Sequence, residues 1–416
     1  LELGNEVYGS PVVAGAVVYV GADNTRRINP AFREHSGVLL AFRATDGAFL
    51  WQDPATRVER GLREWLLPST TSAPYVEGDR LYYVTAECQL RSLDTQGFGD
   101  GENDGPYREE VFKDKGAADI VWQLDMPALG VFPHEACNSD VLPLGDLLMV
   151  GTSNGQNEGH TRVPSSHAPS LIAVNKHSGE VVWRAIGPGD QVLHGAWSSP
   201  VAANVNGRMQ VLFGGGDGWL RAYDAASGQE VWRFDGNSKD ARWLPRAGVL
   251  SRSSIIASPI FADGRVFVAM GLSPGHADGP SLIHAISPNG QEDVTESGRL
   301  WTSREVGRVV GTPIVKDGLL YVGDLGGSVH CLDAATGAHL WKHETNDAIW
   351  GSLLLAGDRL YVGNAGGLMT VLRAGPRKEL LAQIEMDAPL YSRPAVVGDA
   401  LYLATASRLY LIATKH

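Results

Sequence analysis

Eight times along the chain a small-residue or Pro step leads into an alternating apolar strand, and five times that unit closes on a Gly turn and a Trp. The clearest copy runs Gly311-Thr312-Pro313, then Gly318-Leu319-Leu320-Tyr321-Val322-Gly323, then Cys331-Leu332-Asp333-Ala334-Ala335-Thr336-Gly337 and Trp341. Self-similarity of this kind constrains the fold before any single residue is interpreted, because each unit can bury its apolar faces only against its neighbours.

The units open at Ser10-Pro11, Ala73-Pro74, Ser139-Asp140, Ser199-Pro200, Ser258-Pro259, Thr312-Pro313, Ser352-Leu353 and Arg393-Pro394. Each opening is followed by an apolar run, a Gly or Asp-Gly turn and a second apolar run, which predicts two short antiparallel strands. A third and fourth strand follow, joined by turns such as Thr45-Asp46-Gly47 before Trp51, His177-Ser178-Gly179 before Trp183 and Ala226-Ser227-Gly228 before Trp232. Glycine supplies the positive φ that such a turn needs. Eight copies of a four-stranded unit predict an all-β, eight-bladed β-propeller. Trp301 and Trp341 lie 40 residues apart, the length of a bare blade, and Gly366-Gly367 repeats Gly326-Gly327 at the same interval. Leu381 then stands where Trp341 stands, so blade seven is expected to have lost its Trp.

The last unit reaches only Tyr402 to Ala404 and Arg408 to Ala413. A propeller avoids an unpaired edge by closing its ring, so the missing outer strand is expected from the N-terminus. Counting back the twelve residues from Pro313 to Trp301 places the equivalent Trp just upstream of Leu1. The chain is therefore expected to begin inside the closing strand, as a processed or partial N-terminus would.

The pattern Ala-x-Asp-x-x-Thr-Gly-x-x-x-Trp resembles the tryptophan-docking repeat of the quinoprotein family. Those eight-bladed propellers include the pyrroloquinoline quinone (PQQ) alcohol dehydrogenases and the outer-membrane assembly lipoprotein. The resemblance covers nearly the whole chain and is specific for the fold, whereas fold alone does not settle activity. It implies an exported, periplasmic or secreted location.

One propeller accounts for residues 1–416 as a single domain. The 50 Gly serve the many turns, and the net charge of −12 argues against a nucleic-acid groove. No apolar run approaches the roughly 18 residues of a membrane span. The three cysteines, Cys88, Cys137 and Cys331, are too few for a disulfide framework and too scattered for a metal finger.

The first strand of a propeller blade lines the central channel. Three positions before each opening Pro or its equivalent lie Tyr8, Thr71, Cys137, Trp197, Ile256, Val310, Trp350 and Tyr391. Half of this ring is aromatic, suited either to stacking on a planar quinone or sugar or simply to plugging the channel. Two lead-in segments, 130–138 and 190–194, bring His134, Glu135, Asn138 and His194 towards the same mouth. A carboxylate beside an amide oxygen can hold Ca2+, and a His can serve as acid or base; loop anchoring is the other use of such residues. Arg242, Arg246, Arg252, Arg304 and Arg308 fall in the loops entering blades five and six, where guanidinium groups grip carboxylates. PQQ carries three.

Asp100, Glu102 and Asp104, followed by Gly105, have the spacing of the front half of a calcium loop, with Val111 where the closing acid belongs. The polar excursion 151–167 carries His160 and His167, a possible metal-binding pair with no third ligand evident in the sequence.

Two functions follow from the resemblance. One is a PQQ- and calcium-dependent dehydrogenase oxidising an alcohol or sugar. The other is a cofactor-free propeller that binds a small molecule or a protein partner at the channel mouth. The family's dehydrogenases carry vicinal cysteines beneath the cofactor, and this chain has no Cys-Cys and no Cys-x-x-Cys-His haem site. Binding without catalysis is therefore the leading expectation.

Overall fold

A computed structural model describes residues 1–33, 36–55, 69–157, 159–242, 252–271 and 281–413. Eight antiparallel sheets follow one another along the chain. Blade one is built from Val12–Ala14, Val17–Asp23, Gly37–Arg43 and Phe49–Pro54, and blade six repeats it with Ile314–Lys316, Leu319–Gly323, Ser328–Asp333 and His339–Glu344. The middle strands are buried along nearly their whole length, as in Gly37–Arg43, while the outer strand Val181–Ala185 alternates. That difference follows from the stacking: a middle strand is covered on both faces by neighbouring blades, and an outer strand is partly wet.

Eight apolar clusters occur among the described residues, each shared by adjacent blades. Tyr19, Leu39, Ala41 and Trp51 of blade one pack with Leu81, Tyr83, Leu93 and Ile120 of blade two. Leu3, Val18, Val20 and Leu40 pack with Tyr402, Ala404 and Leu409, so blade eight meets blade one across an equivalent interface. The terminal seam is also hydrogen-bonded. The Leu1 amino group donates to the Leu409 carbonyl at 2.7 Å, the Leu409 N–H returns to the Leu1 carbonyl at 2.8 Å, and the Leu3 N–H reaches Ser407. The N-terminal segment thus supplies the outer strand to Ala395–Val397, Ala400–Ala404 and Leu409–Ala413.

A register shift recurs opposite the aromatic position of blades one to seven, for example between Ala41 and Phe42 and between Cys331 and Leu332. Such bulges re-aim a side chain. Here they accompany Trp side chains whose indole N–H reaches the next blade: Trp51 donates to the Thr95 carbonyl, Trp122 to Lys176, Trp183 to Ala225, Trp301 to Ala334 and Trp341 to Gly375, all at 2.9–3.1 Å. Gly337 has φ 74°, and a Cβ there would lie 2.6 Å from the Trp301 ring. Trp232 differs: it donates to Gln210 Oε1 instead. The blade-five turn is longer there, and its segment Glu292–Asp293 pairs in parallel with the outer strand of blade four as a fifth strand.

The aromatic position of blade seven falls on Ala382, not on Leu381. Cys331 pairs with Trp341, but its counterpart Val371 pairs with Ala382 rather than Leu381. The turn bond runs from the Arg373 N–H to Glu379, against Asp333 to Ala338 in blade six, so the closing turn is one residue longer. Equal sequence spacing consequently lands one residue early.

Candidate functional site

The blade openings meet around the propeller axis through side chains that accept backbone N–H groups from the preceding blade. Ala73 N–H donates to Asp140 Oδ1 at 2.7 Å, Asp140 N–H to Ser199 Oγ, Ser199 N–H to Ser258 Oγ, Thr312 N–H to Ser352 Oγ and Arg393 N–H to Ser10 Oγ. This polar belt explains the recurrence of Ser at the openings. A short oxygen side chain satisfies the N–H that would otherwise be orphaned between strands.

Beside the belt lies a cavity of about 530 Å3 to which all eight units contribute. Tyr8, Trp197, Trp350 and Tyr391 line it together with Thr71, Ile256 and Val310. Tyr8 stacks on Tyr391 with ring centroids 5.0 Å apart, and Trp350 meets Tyr391 edge-on at 6.2 Å. Three rings thus form one aromatic wall on blades seven, eight and one, while Trp197 belongs to blade four, half a turn around the ring. Burial, followed by the charge of Glu6, raises the Tyr8 hydroxyl's pKa, so it remains a neutral donor at physiological pH. Glu135 and Asn138 also line the cavity. Burial raises the Glu135 pKa, and Asn138 Oδ1 is buried without a hydrogen-bond partner.

Cys137 leaves the ring. It is buried and joined to Cys88 in a disulfide with Cα atoms 5.3 Å apart, and Ala136 and Asn138 face the cavity in its place. Cysteine number was a poor guide here, because one bridge needs only two cysteines brought together by adjacent blades. Cys331 is the free, buried cysteine among the described residues.

His134 and His194 stand behind Trp197 rather than on the cavity wall. Their rings stack on the indole at centroid distances of 5.8 and 6.2 Å, and both are buried. Trp197 Nε1 donates to the His134 carbonyl at 3.0 Å. The third member of this cluster is His160, whose Nε2 lies 3.0 Å from His134 Nε2. His167 is exposed and outside the cluster. The pairing of His160 with His167 rested on proximity in sequence, and the fold replaces it with partners from two other segments.

No arginine lines the axial cavity among the described residues. Arg252 is turned to blade four, where Nη2 contacts Asp235 Oδ1 at 2.6 Å and the Asp217 carbonyl at 3.3 Å. The Arg242 carbonyl accepts the Arg252 N–H, and Arg246 lies outside the described residues. Arg304 is exposed on the lead-in to blade six, and the Arg308 carbonyl accepts the Leu325 N–H. The described arginines therefore do not line the mouth: Arg242 and Arg252 lie on the lead-in to blade five, and Arg304 and Arg308 on the lead-in to blade six.

The acidic loop is likewise divided. Asp100 Oδ1 accepts the Glu102 N–H, Glu102 is exposed, and Asp104 Oδ2 pairs with Arg80 at 2.8 Å. Arg80 also pairs with Asp94, which ties this loop to blade two. These carboxylates do not form one of the groups of three ligating side chains found among the described residues.

Eight radial sheets, cross-blade indole bonds and an axial cavity define an eight-bladed propeller of the PQQ-like repeat class. The family described as outer membrane protein assembly factor BamB matches residues 167–292 and 281–415, and this chain belongs to that family. Among solved structures, BamB from Moraxella catarrhalis aligns with a TM-score of 0.65 at 15% identity, covering 99% of this chain and 97% of that one. The computationally designed Ika8 protein aligns at 0.62 and 12% identity, covering 99% and 97%, and Saccharomyces cerevisiae Sqt1 at 0.63 and 11%, covering 100% and 98%. These likenesses show the fold. No curated protein matches the chain. No helix among the described residues is long and apolar enough to cross a membrane.

Proposed function

We propose that this chain is an exported binding propeller whose axial cavity takes a neutral or cationic group with a flat face, offered by a small molecule or by a protein partner. The observation that carries the reading is the cavity lining: aromatic rings from opposite sides, the carboxylates of Glu135 and Asp140, and no cationic side chain among the described lining residues. Indole and phenol faces attract cations and stack on apolar faces, and nearby carboxylates reinforce that preference. The family description as an outer membrane protein assembly factor favours a protein occupant. The Cys88–Cys137 bridge favours an oxidising compartment, periplasmic or extracellular.

PQQ, which the resemblance implies, does not fit these residues. Its carboxylates would face Glu135 and Asp140 without a guanidinium or ammonium on the described lining. Calcium takes six to eight oxygens. Glu135 and Asn138 supply two side chains, and Asp140 already accepts the Ala73 N–H. Nor does the chain's disulfide provide a vicinal-cysteine ring, since its two residues are 49 apart.

Tryptophan fluorescence of the purified chain, titrated with benzyltrimethylammonium, a disaccharide, and PQQ with and without Ca2+, tests the proposal. Saturable quenching by the cation or the sugar, weakened about fivefold by Trp350→Ala, is expected from the loss of one face worth about 1 kcal/mol. Calcium-dependent PQQ binding with dye-linked alcohol or sugar oxidation would replace it with the dehydrogenase reading.

A further inference from the structure

Three imidazoles from three different excursions converge behind Trp197. His134 lies on the lead-in to blade three, His160 on the excursion between Leu147–Gly151 and Leu171–Asn175, and His194 on the lead-in to blade four. One ligating nitrogen from each lies within 4.8 Å of the others. We infer that this cluster is a binding site for a borderline divalent transition metal, with Zn2+ as its natural class, completed by the carboxylate of Glu135. The site shares Glu135 with the axial cavity, while its three imidazoles lie outside the cavity lining.

The backbone holds the three segments together as a small sheet. Gly155 N–H donates to the Phe132 carbonyl at 2.9 Å, His134 N–H to Ser153 at 3.2 Å, and on the other side Gln156 N–H donates to the His194 carbonyl at 2.7 Å. Pro133 bridges Asn154, and Gly155 bridges Gly195. Gly155 is required at this crossing, because a Cβ would sit 2.2 Å from the His194 carbonyl oxygen and 2.6 Å from His134 Cβ. The Cys88–Cys137 bridge anchors the His134 segment three residues further on. Glu135, Ser153 and His160 all have φ of 50–57°, a left-handed conformation that costs L-residues about 1 kcal/mol or more each. Such conformations persist only where the surrounding structure holds them, as the crossed backbone segments do here.

The nitrogen assignment suits a metal. His134 Nδ1 lies 2.9 Å from the Gln156 carbonyl, so Nδ1 carries the proton and Nε2 presents its lone pair. Metal-bound imidazoles are oriented in this way by a backbone carbonyl on the other nitrogen. Two nitrogens on a tetrahedral zinc, with bonds of about 2.0–2.1 Å, are about 3.3 Å apart. The His134 and His160 Nε2 atoms are 3.0 Å apart, and the 4.8 Å limit on the trio leaves a small imidazole rotation to complete the set. Glu135 Oε1 lies 3.7 Å from His134 Nε2, and its residue also lines the axial cavity. A metal here would therefore sit at the wall between the cluster and the cavity. Imidazole donors select zinc, copper, nickel and cobalt over calcium and magnesium, which prefer oxygen.

The test is titration of chelator-stripped full chain with Zn2+ and Co2+, followed by elemental analysis after dialysis. One equivalent of zinc is expected, together with visible d–d absorption of a four-coordinate Co2+ complex and no competition from Ca2+. His160→Ala is expected to weaken zinc binding by roughly a hundredfold or more, and Glu135→Gln by about tenfold. His167→Ala, on the same excursion, serves as the control and leaves binding unchanged. Thermal melting identifies a variant that loses metal by unfolding; for such a variant, His160→Gln supplies the second measurement. Absence of saturable zinc or cobalt binding by the wild type would overturn the assignment. So would equal losses in the folded His160 and His167 variants, which would mark adventitious surface binding.

Discussion

Removing the Cys88–Cys137 bridge with a Cys88→Ala/Cys137→Ala double variant tests whether blades two and three are covalently joined. The two residues are 49 apart, so the bridge closes a loop of about 50 residues in the unfolded chain. Loop-closure entropy for that length is about 14 cal/mol/K, or about 4 kcal/mol at 25 °C. Alanine is the suitable replacement because both sites are buried, and a hydroxyl would add an unsatisfied polar group. With an unfolding entropy of about 2.1 cal/mol/K per residue over 416 residues, the melting midpoint should fall by about 5 °C. The assay is thermal unfolding followed by circular dichroism without reductant, alongside thiol titration in guanidinium. Cys331 is free and buried, and burial pushes its thiol up to about 12, so native protein should show no reactive thiol and unfolded protein one. Three thiols in the unfolded oxidised protein, or a midpoint shift below 1 °C, would refute the reasoning.

Acid should weaken the blade-five region through His284. Its ring is buried with Nε2 donating to the Gly236 carbonyl and Nδ1 accepting from Thr302 Oγ1, each at 2.8 Å, and burial above all lowers its pKa to about 4. The folded state binds fewer protons there than the unfolded chain, so stability is lost as pH falls from 6.5 towards 4, by about 2 kcal/mol at pH 5. Denaturation at pH 7.5 and pH 5 should show this difference shrinking in His284→Gln; an unchanged difference would remove His284 as its source. Gly318 and Gly337 provide a matched comparison, with φ of 73° and 74°, but only Gly337 faces the Trp301 ring. Gly318→Ala should cost about 1–2 kcal/mol from backbone strain, and Gly337→Ala at least 1 kcal/mol more from displaced packing, read by chemical denaturation.

The propeller was legible in sequence because each blade repeats a local rule. Alternating apolar residues define strands, Gly marks the turn before the aromatic position, and the openings count the blades; even the terminal seam follows, since a ring with one short blade needs its strand from elsewhere. The same periodicity aligned Tyr8, Trp197, Trp350 and Tyr391, because equivalent positions on the lead-ins just before the inner strands meet at one axial cavity. It failed at blade seven, where one extra turn residue moved Ala382 into the place expected for Leu381. The rest lay in segments without a period. Arg252 and Arg308 lie on the lead-ins to successive blades, yet Arg252 is held by Asp235, and Asp104 is claimed by Arg80. Cys88 meets Cys137 across a blade boundary, and His134, His160 and His194 meet only when three excursions cross at Gly155. Strand order is encoded residue by residue through local alternation and turns, whereas the meeting of distant loops depends on blade stacking, which brings together groups that no spacing relates.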